Sequence, residues 1–256
     1  NINIGIGAHS LRAVSRDSLA EIARLAPAAG PLHLHIAEQQ REVDQCMGEY
    51  GRRPVRWLLE NFGVDEHWCL VHATHMDFEE VEALAHSGAV AALCPSTEAN
   101  LGDGLFPLQD FLQAGGRIAI GSDSHICINP FEELRWLEYG QRLRRERRAC
   151  LATGDGLGRP LWNAVSAGGA SATGLPVGMI RPGAFADLVV LDEKSPALAG
   201  LEDDMALDAL LTAGNATDIR TVYVGGKAVV HGGLHFCEDE IGGAFVATSA
   251  ALRGRL

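Results

Sequence analysis

Five times in its first 121 residues the chain repeats one pattern: a short apolar stretch, a few polar residues, then an amphipathic segment. The apolar stretches lie near 2–7, 32–36, 68–72, 89–94 and 117–121. Between them run "RDSLAEIARLA", "QREVDQCMGEYG", "RPVRWLLENFG", "DFEEVEALAHSG" and "PLQDFLQAGG", several closed by glycine, the usual helix stop. Asp77 and Glu80 have the spacing of an N-cap and its reciprocal partner. Repeated strand–helix units of this kind predict a parallel sheet. Further helices are expected at 130–149 and near 159–173.

Only five such strands can be counted, whereas a closed (β/α)₈ barrel needs eight, and five alone leave edges uncovered. The chain opens "NINIGIGAHSLR", without an initiating Met and already in a strand. The expectation is therefore an α/β fold, a TIM (β/α)₈ barrel whose N-terminal strands are missing from this chain, with an open sheet as the alternative. After "GLPVGMIRPGAFADLVVLD" short strands are expected near 187–192, 220–225 and 227–231, the last two joined by a Gly225–Gly226 hairpin turn. The expected division is barrel over 1–180, a small β-rich portion over 181–240, and a polar, helical tail over 241–256.

With 256 residues, 47% hydrophobic and 21% charged, the chain can bury a substantial core. A net charge of −12 argues against nucleic acid or anionic membrane as a partner. An anionic substrate would need local cations. No apolar run approaches the ~20 residues of a membrane span. Six scattered cysteines without a CxxC pair read as reduced thiols, which fits a cytoplasmic location. The block "RRERR" reads as the solvated face of a helix rather than an anion site.

Functional side chains of a parallel barrel gather where its strands end. The five exits here offer His9 and Arg12; His35 and Glu38; His72 and His75; Ser96, Thr97, Glu98 and Asn100; and Ser122, Asp123, Ser124 and His125. Each has a blander reading. His33, deeper in its strand, is expected to be a satisfied interior histidine, and His72 has the same alternative. Asp123 has the alternative of a turn or helix cap, Glu38 that of a carboxylate at a helix start, and Arg12 that of a surface ion pair. His75 reads as a loop residue, and His67, His86, His231 and His235 as surface or appendage residues. "CPSTEANLGDG" reads as a loop enclosing the site, since no phosphate-loop lysine accompanies its glycines.

Taken together, strand-end His35, Glu38 three residues on, strand-end His72 and strand-end Asp123 resemble the mononuclear deaminase branch of the amidohydrolase superfamily. "RPGAFADLVVLD" and "VYVGGKAVVHGG" resemble that superfamily's small β-sandwich. More narrowly, "AHSLRAVS", "HIAEQQREV", "VHATHM", "CPSTEANLGDG" and "GSDSHICINPFEELR" resemble the N-formimidoyl-L-glutamate deiminase family. The resemblance implies one divalent ion, zinc first and Fe²⁺ or another metal as alternatives, with His35 and Asp123 among its ligands. It implies Glu38, His72 and Asp123 as catalytic groups and His9, Arg12, Glu98, Asn100 and Ser124 as contacts to a small anionic substrate. The family's His-x-His metal pair has no counterpart here, because His33 and His35 belong to a later strand. A homo-oligomer would be in keeping with the family. The competing expectations are a related deaminase or chlorohydrolase acting on a heterocycle, and a non-catalytic fragment lacking the metal pair.

Overall fold

The computed structural model describes residues 2–26 and 30–255. Its larger part is a sheet of five strands: β1 (Ile6–Ser10), β2 (Leu32–Ile36), β3 (Trp68–His72), β4 (Val90–Leu93) and β5 (Arg117–Ile120). They lie in sequence order and every pairing is parallel. The helices between them are α1 (Arg16–Leu25), α2 (Gln40–Tyr50), α3 (Pro54–Asn61), α4 (Phe78–Ser87), α5 (Pro95–Leu101) and α6 (Leu108–Gln113). Two long helices follow, α7 (Pro130–Arg145) and α8 (Gly158–Thr173). Among the described residues the sheet is open, with β1 and β5 at its edges; barrel closure is not formed by these five strands.

Alternation decides which side of the sheet is packed. In β2, Leu32, Leu34 and Ile36 are buried in the main core with Leu58, Leu70, Leu84, Leu93 and Phe111. His33 and His35 point to the other side and are half-buried. The register carries that second face across the sheet as the row His33, Cys69, Val90 and Arg117. Helix α8 covers this row: Ala172 packs among Cys69, Val90 and Ala119. His33 Nε2 donates to the Ala172 carbonyl at 2.7 Å, and Arg117 donates to the Ser171 hydroxyl. The inner face is thus plugged near the strand starts and left open near the strand ends.

The Asp77–Glu80 capping box forms on α4. Other expectations shift. The first strand occupies 6–10 rather than 2–7, because the chain pairs with β2 only from Ile6 onward. "CPSTEANL" is not a loop: Pro95 opens a helix that Gly102 closes in a left-handed conformation. Helix α7 stops at Arg145, before 149, because Glu146 turns left-handed, so Arg147 and Arg148 lie beyond it.

The remainder holds β6 (Leu188–Leu191), α9 (Asp203–Ala213), a 3₁₀ turn at Ala216–Asp218, β7 (Ile219–Val224), β8 (Lys227–His231), β9 (Leu234–His235) and α10 (Glu238–Arg253). The expected sandwich is, among the described residues, one antiparallel sheet in the order β6-β7-β8-β9. Gly225 and Gly226 make the β7–β8 turn with φ of 57° and 78°. Helix α9 ties this part to the first. Its Asp208 accepts from Leu157 and Gly158 N–H at the start of α8, and Arg135 of α7 donates to the Leu211 carbonyl at its end. The helical tail begins at 238, inside the expected β-rich portion, and buries no residue.

Candidate active site

Backbone strain marks one end of the sheet. Of the non-glycine residues with positive φ, five sit at strand exits: His9 (58°), Ala37 (49°), His72 (71°), Ala73 (48°) and Asp123 (50°). Such conformations cost on the order of 1 kcal/mol each and persist where surrounding contacts over-determine them. Those contacts are visible. Ala73 N–H donates to the Ile36 carbonyl and His75 N–H to the Ala37 carbonyl, carrying the β2–β3 ladder past its formal end.

Three imidazoles line up there. His9 and His35 have ring centroids 5.4 Å apart, and His35 and His72 5.6 Å apart. His35 Nδ1 lies 2.9 Å from the His9 carbonyl, so Nδ1 carries the proton and Nε2 is left as a lone-pair donor. An imidazole fixed through a backbone carbonyl in this way is oriented as metal ligands are, and His35 fits that role. His72 is buried, with Nδ1 3.2 Å from Glu98 Oε1 and Nε2 3.8 Å from Glu38 Oε1. Burial pushes the His72 pKa down. The Glu98 hydrogen bond and the charges of Glu98, Glu38 and Asp123 outweigh it, and the net shift is upward.

Asp123 is exposed on the turn after β5. That turn is pinned by Thr97, whose hydroxyl donates to the Ser122 carbonyl at 2.6 Å and accepts from His125 N–H at 3.0 Å. Ser124, also exposed, has its hydroxyl 3.5 Å from the same Thr97 oxygen. Among the described residues no group of three His, Cys, Asp or Glu ligand atoms that includes His35 or Asp123 comes within metal-binding spacing. The three-residue group that does satisfy ligand spacing is Asp65, Glu66 and His67, an exposed cluster on the turn before β3.

Two expected substrate contacts are engaged otherwise. Glu98 is buried, accepts from Cys94 N–H at 2.9 Å and lies 3.2 Å from His72 Nδ1 through Oε1. Arg12 Nη2 lies 3.0 Å from Glu38 Oε2 and 3.8 Å from Glu42 Oε2. His9 and Asn100 are exposed at the rim, and His9 Nδ1 shares a 2.8 Å hydrogen bond with Ser10 Oγ. His75, read as a loop residue, donates from Nε2 to the Asp103 carbonyl.

Two supporting residues escaped sequence reasoning. Glu42 is buried and accepts from the backbone N–H of Glu38 at 3.0 Å. Glu133, also buried, accepts from Ser96 N–H at 2.9 Å and from the Ser96 hydroxyl, fastening α5 to α7. Thr97 holds the Asp123 turn, as described. Glu42 in "HIAEQQREV" had a faint signal, a second acid one turn after Glu38; for Glu133 none was apparent.

Residues 1–229 match the Amidohydrolase family, and the chain belongs to it. Over 246 residues it is 52% identical to the formimidoylglutamate deiminase of Pseudomonas aeruginosa, an alignment covering 95% of this chain and 54% of that protein. A crystal structure of an amidohydrolase from Brucella melitensis superposes with a TM-score of 0.90 at 43% identity, over 97% of this chain and 55% of that one. A zinc-bound adenosine deaminase from Xanthomonas campestris gives 0.85 at 25% identity, over 97% and 56%. The chain thus spans about half the length of the relatives it matches.

Proposed function

We propose that this chain serves the hydrolytic deamination of N-formimidoyl-L-glutamate to N-formyl-L-glutamate and ammonia. What carries the reading is the 52% identity to a formimidoylglutamate deiminase across nearly the whole chain. The site is compatible with it. A substrate with two carboxylates suits an exit that carries Arg12, whose guanidinium is paired with Glu38 here, in a protein otherwise strongly acidic. His35 and Asp123 would hold a divalent ion, with zinc suited to imidazole and carboxylate donors and Fe²⁺ an alternative. When bound, the ion supplies Lewis acidity that brings the ionisation of water toward neutral pH.

The chain's own residues do the rest. His72, fixed by Glu98, and Asp123 orient the attacking water over the formimino carbon and take up its proton. Glu38, between Arg12 and His72, delivers a proton to the departing nitrogen. Water adds across the C=N bond, the C–N bond to the former imine nitrogen breaks, and ammonia leaves with the formyl group behind. Arg12 grips a substrate carboxylate through paired N–H donors, with His9, Asn100 and Ser124 at the rim. A cytoplasmic metabolic role and a 1–180/181–240/241–256 division accompany this reading.

The test is ammonia release by the purified, zinc-loaded protein from N-formimidoyl-L-glutamate, measured beside adenosine and cytosine. Turnover of the formimidoyl compound about 10⁴-fold or more faster than of either heterocycle is expected, the scale on which a site built for polar groups rejects substrates lacking them. Equal or greater release from a heterocycle would replace this reading with the related-deaminase one.

A further inference from the structure

Asp123 is proposed both to hold the ion and to take up a proton, yet its backbone is left-handed, with φ at 50°. A non-glycine residue keeps that conformation where its neighbours over-determine it. The sheet secures only the approach: Gly121 N–H, one residue beyond β5, donates to the Leu93 carbonyl at 3.0 Å. Two residues further on, Asp123 itself is exposed.

A single hydroxyl grips the turn from another element. Thr97 Oγ1 donates to the Ser122 carbonyl at 2.6 Å and accepts from His125 N–H at 3.0 Å, so it holds the chain on both sides of Asp123. A threonine hydroxyl has one proton to give and lone pairs to receive, and here both capacities are used on the same turn. Thr97 is fully buried, and its neighbours in α5 are tied down in turn. Ser96 is bonded to Glu133 of α7 through its N–H and its hydroxyl. Glu98 accepts from Cys94 N–H and lies 3.2 Å from His72 Nδ1. The helix that shapes the Asp123 turn therefore also touches His72, the other group proposed to orient the water.

From this geometry we infer that Thr97 is a positioning residue for Asp123: its hydroxyl fixes the turn on which the carboxylate leaves β5, and so sets metal affinity and turnover without touching substrate. The inference rests on the functional reading above and adds to it a residue that reading does not use. Valine has nearly the shape of threonine but can make neither bond, whereas serine keeps the hydroxyl and loses only a methyl group. The two substitutions separate the hydrogen bonds from the packing.

The experiment compares zinc dissociation constants, kcat and KM of the wild type, Thr97→Val and Thr97→Ser. Thr97→Val should bind zinc about 10–100-fold more weakly, the usual scale for groups that orient a metal ligand. At saturating zinc it should lose kcat on a similar scale while KM for N-formimidoyl-L-glutamate holds. Thr97→Ser should stay close to the wild type in all three. In an Asp123→Asn background Thr97→Val should weaken zinc binding no further, since a residue that acts through Asp123 then has nothing left to position. Wild-type zinc affinity and kcat in Thr97→Val overturn the inference. So does a valine penalty that serine does not relieve, or one that persists undiminished in the Asp123→Asn background. If the wild type binds zinc but leaves formimidoylglutamate intact, the functional reading fails and the zinc measurements alone decide the role of Thr97. A wild type that binds no zinc overturns both.

Discussion

Glu38 is positioned by three neighbours of different kinds: a buried acid on its backbone, a cation on one oxygen and an imidazole near the other. In the proposed mechanism its value lies in its protonation chemistry, and Gln in its place preserves the shape and an acceptor for Arg12. Glu38→Gln should therefore bind zinc as wild type does and lose about 10²–10⁴ in kcat, the usual worth of a positioned acid–base group. Paired zinc analysis and ammonia-release assays settle the matter; turnover near the wild-type level would take Glu38 out of the mechanism. Sequence pattern singled out Glu38, His35, His72 and Asp123 because they follow apolar runs directly. It could not foresee that Glu98 bonds His72, since those residues are 26 positions apart and meet only through the sheet.

At the level of the elements, α8 makes the closest fit. A Cβ on Gly168 would fall inside the contact distance of the Ile118 carbonyl oxygen, whereas one on Gly169 would meet nothing within 4 Å. Backbone cannot move aside as a flexible side chain can. Gly168→Ala should thus cost about 3 kcal/mol by overpacking, a fall of roughly 6–12 °C in Tm for a molecule of this size. Gly169→Ala should hold or raise Tm, because alanine is the better helix former by about 1 kcal/mol. Calorimetry of the two variants gives the answer, and equal melting temperatures would mean that α8 does not press on β5. The positions of the strands and most helices were readable from periodicity and glycine stops. The helix at Pro95–Leu101 was not, as Gly102 and Gly104 after a proline and polar residues looked like a loop, and the buried contacts of Ser96, Thr97 and Glu98 are what hold it.

For the molecule as a whole, the buried Glu133 links the site-bearing α5 to α7 and makes stability depend on pH. Burial raises its pKa, more than the hydrogen bonds from Ser96 lower it. The native state therefore binds this proton more tightly than the unfolded chain. Its contribution is most favourable below the unfolded carboxyl's value of about 4.5 and is lost as pH rises through the higher native value. Glu133→Gln removes that dependence. The Tm of the variant relative to wild type should be higher at pH 7.5 than at pH 4, and an offset that does not change with pH would rule the effect out.

The alternation of apolar stretches with capped, glycine-stopped helices was enough to specify a parallel α/β sheet and to say which residues leave its strands. Those are short-range properties, set by which side of each segment must be buried. Which of the exit residues touch was set by long-range register: the pairing of β1 with β2 brings Arg12 to Glu38, and the β3–β4 pairing brings His72 to Glu98. A charged side chain takes the partner that folding places beside it, and no local pattern in the chain records that choice.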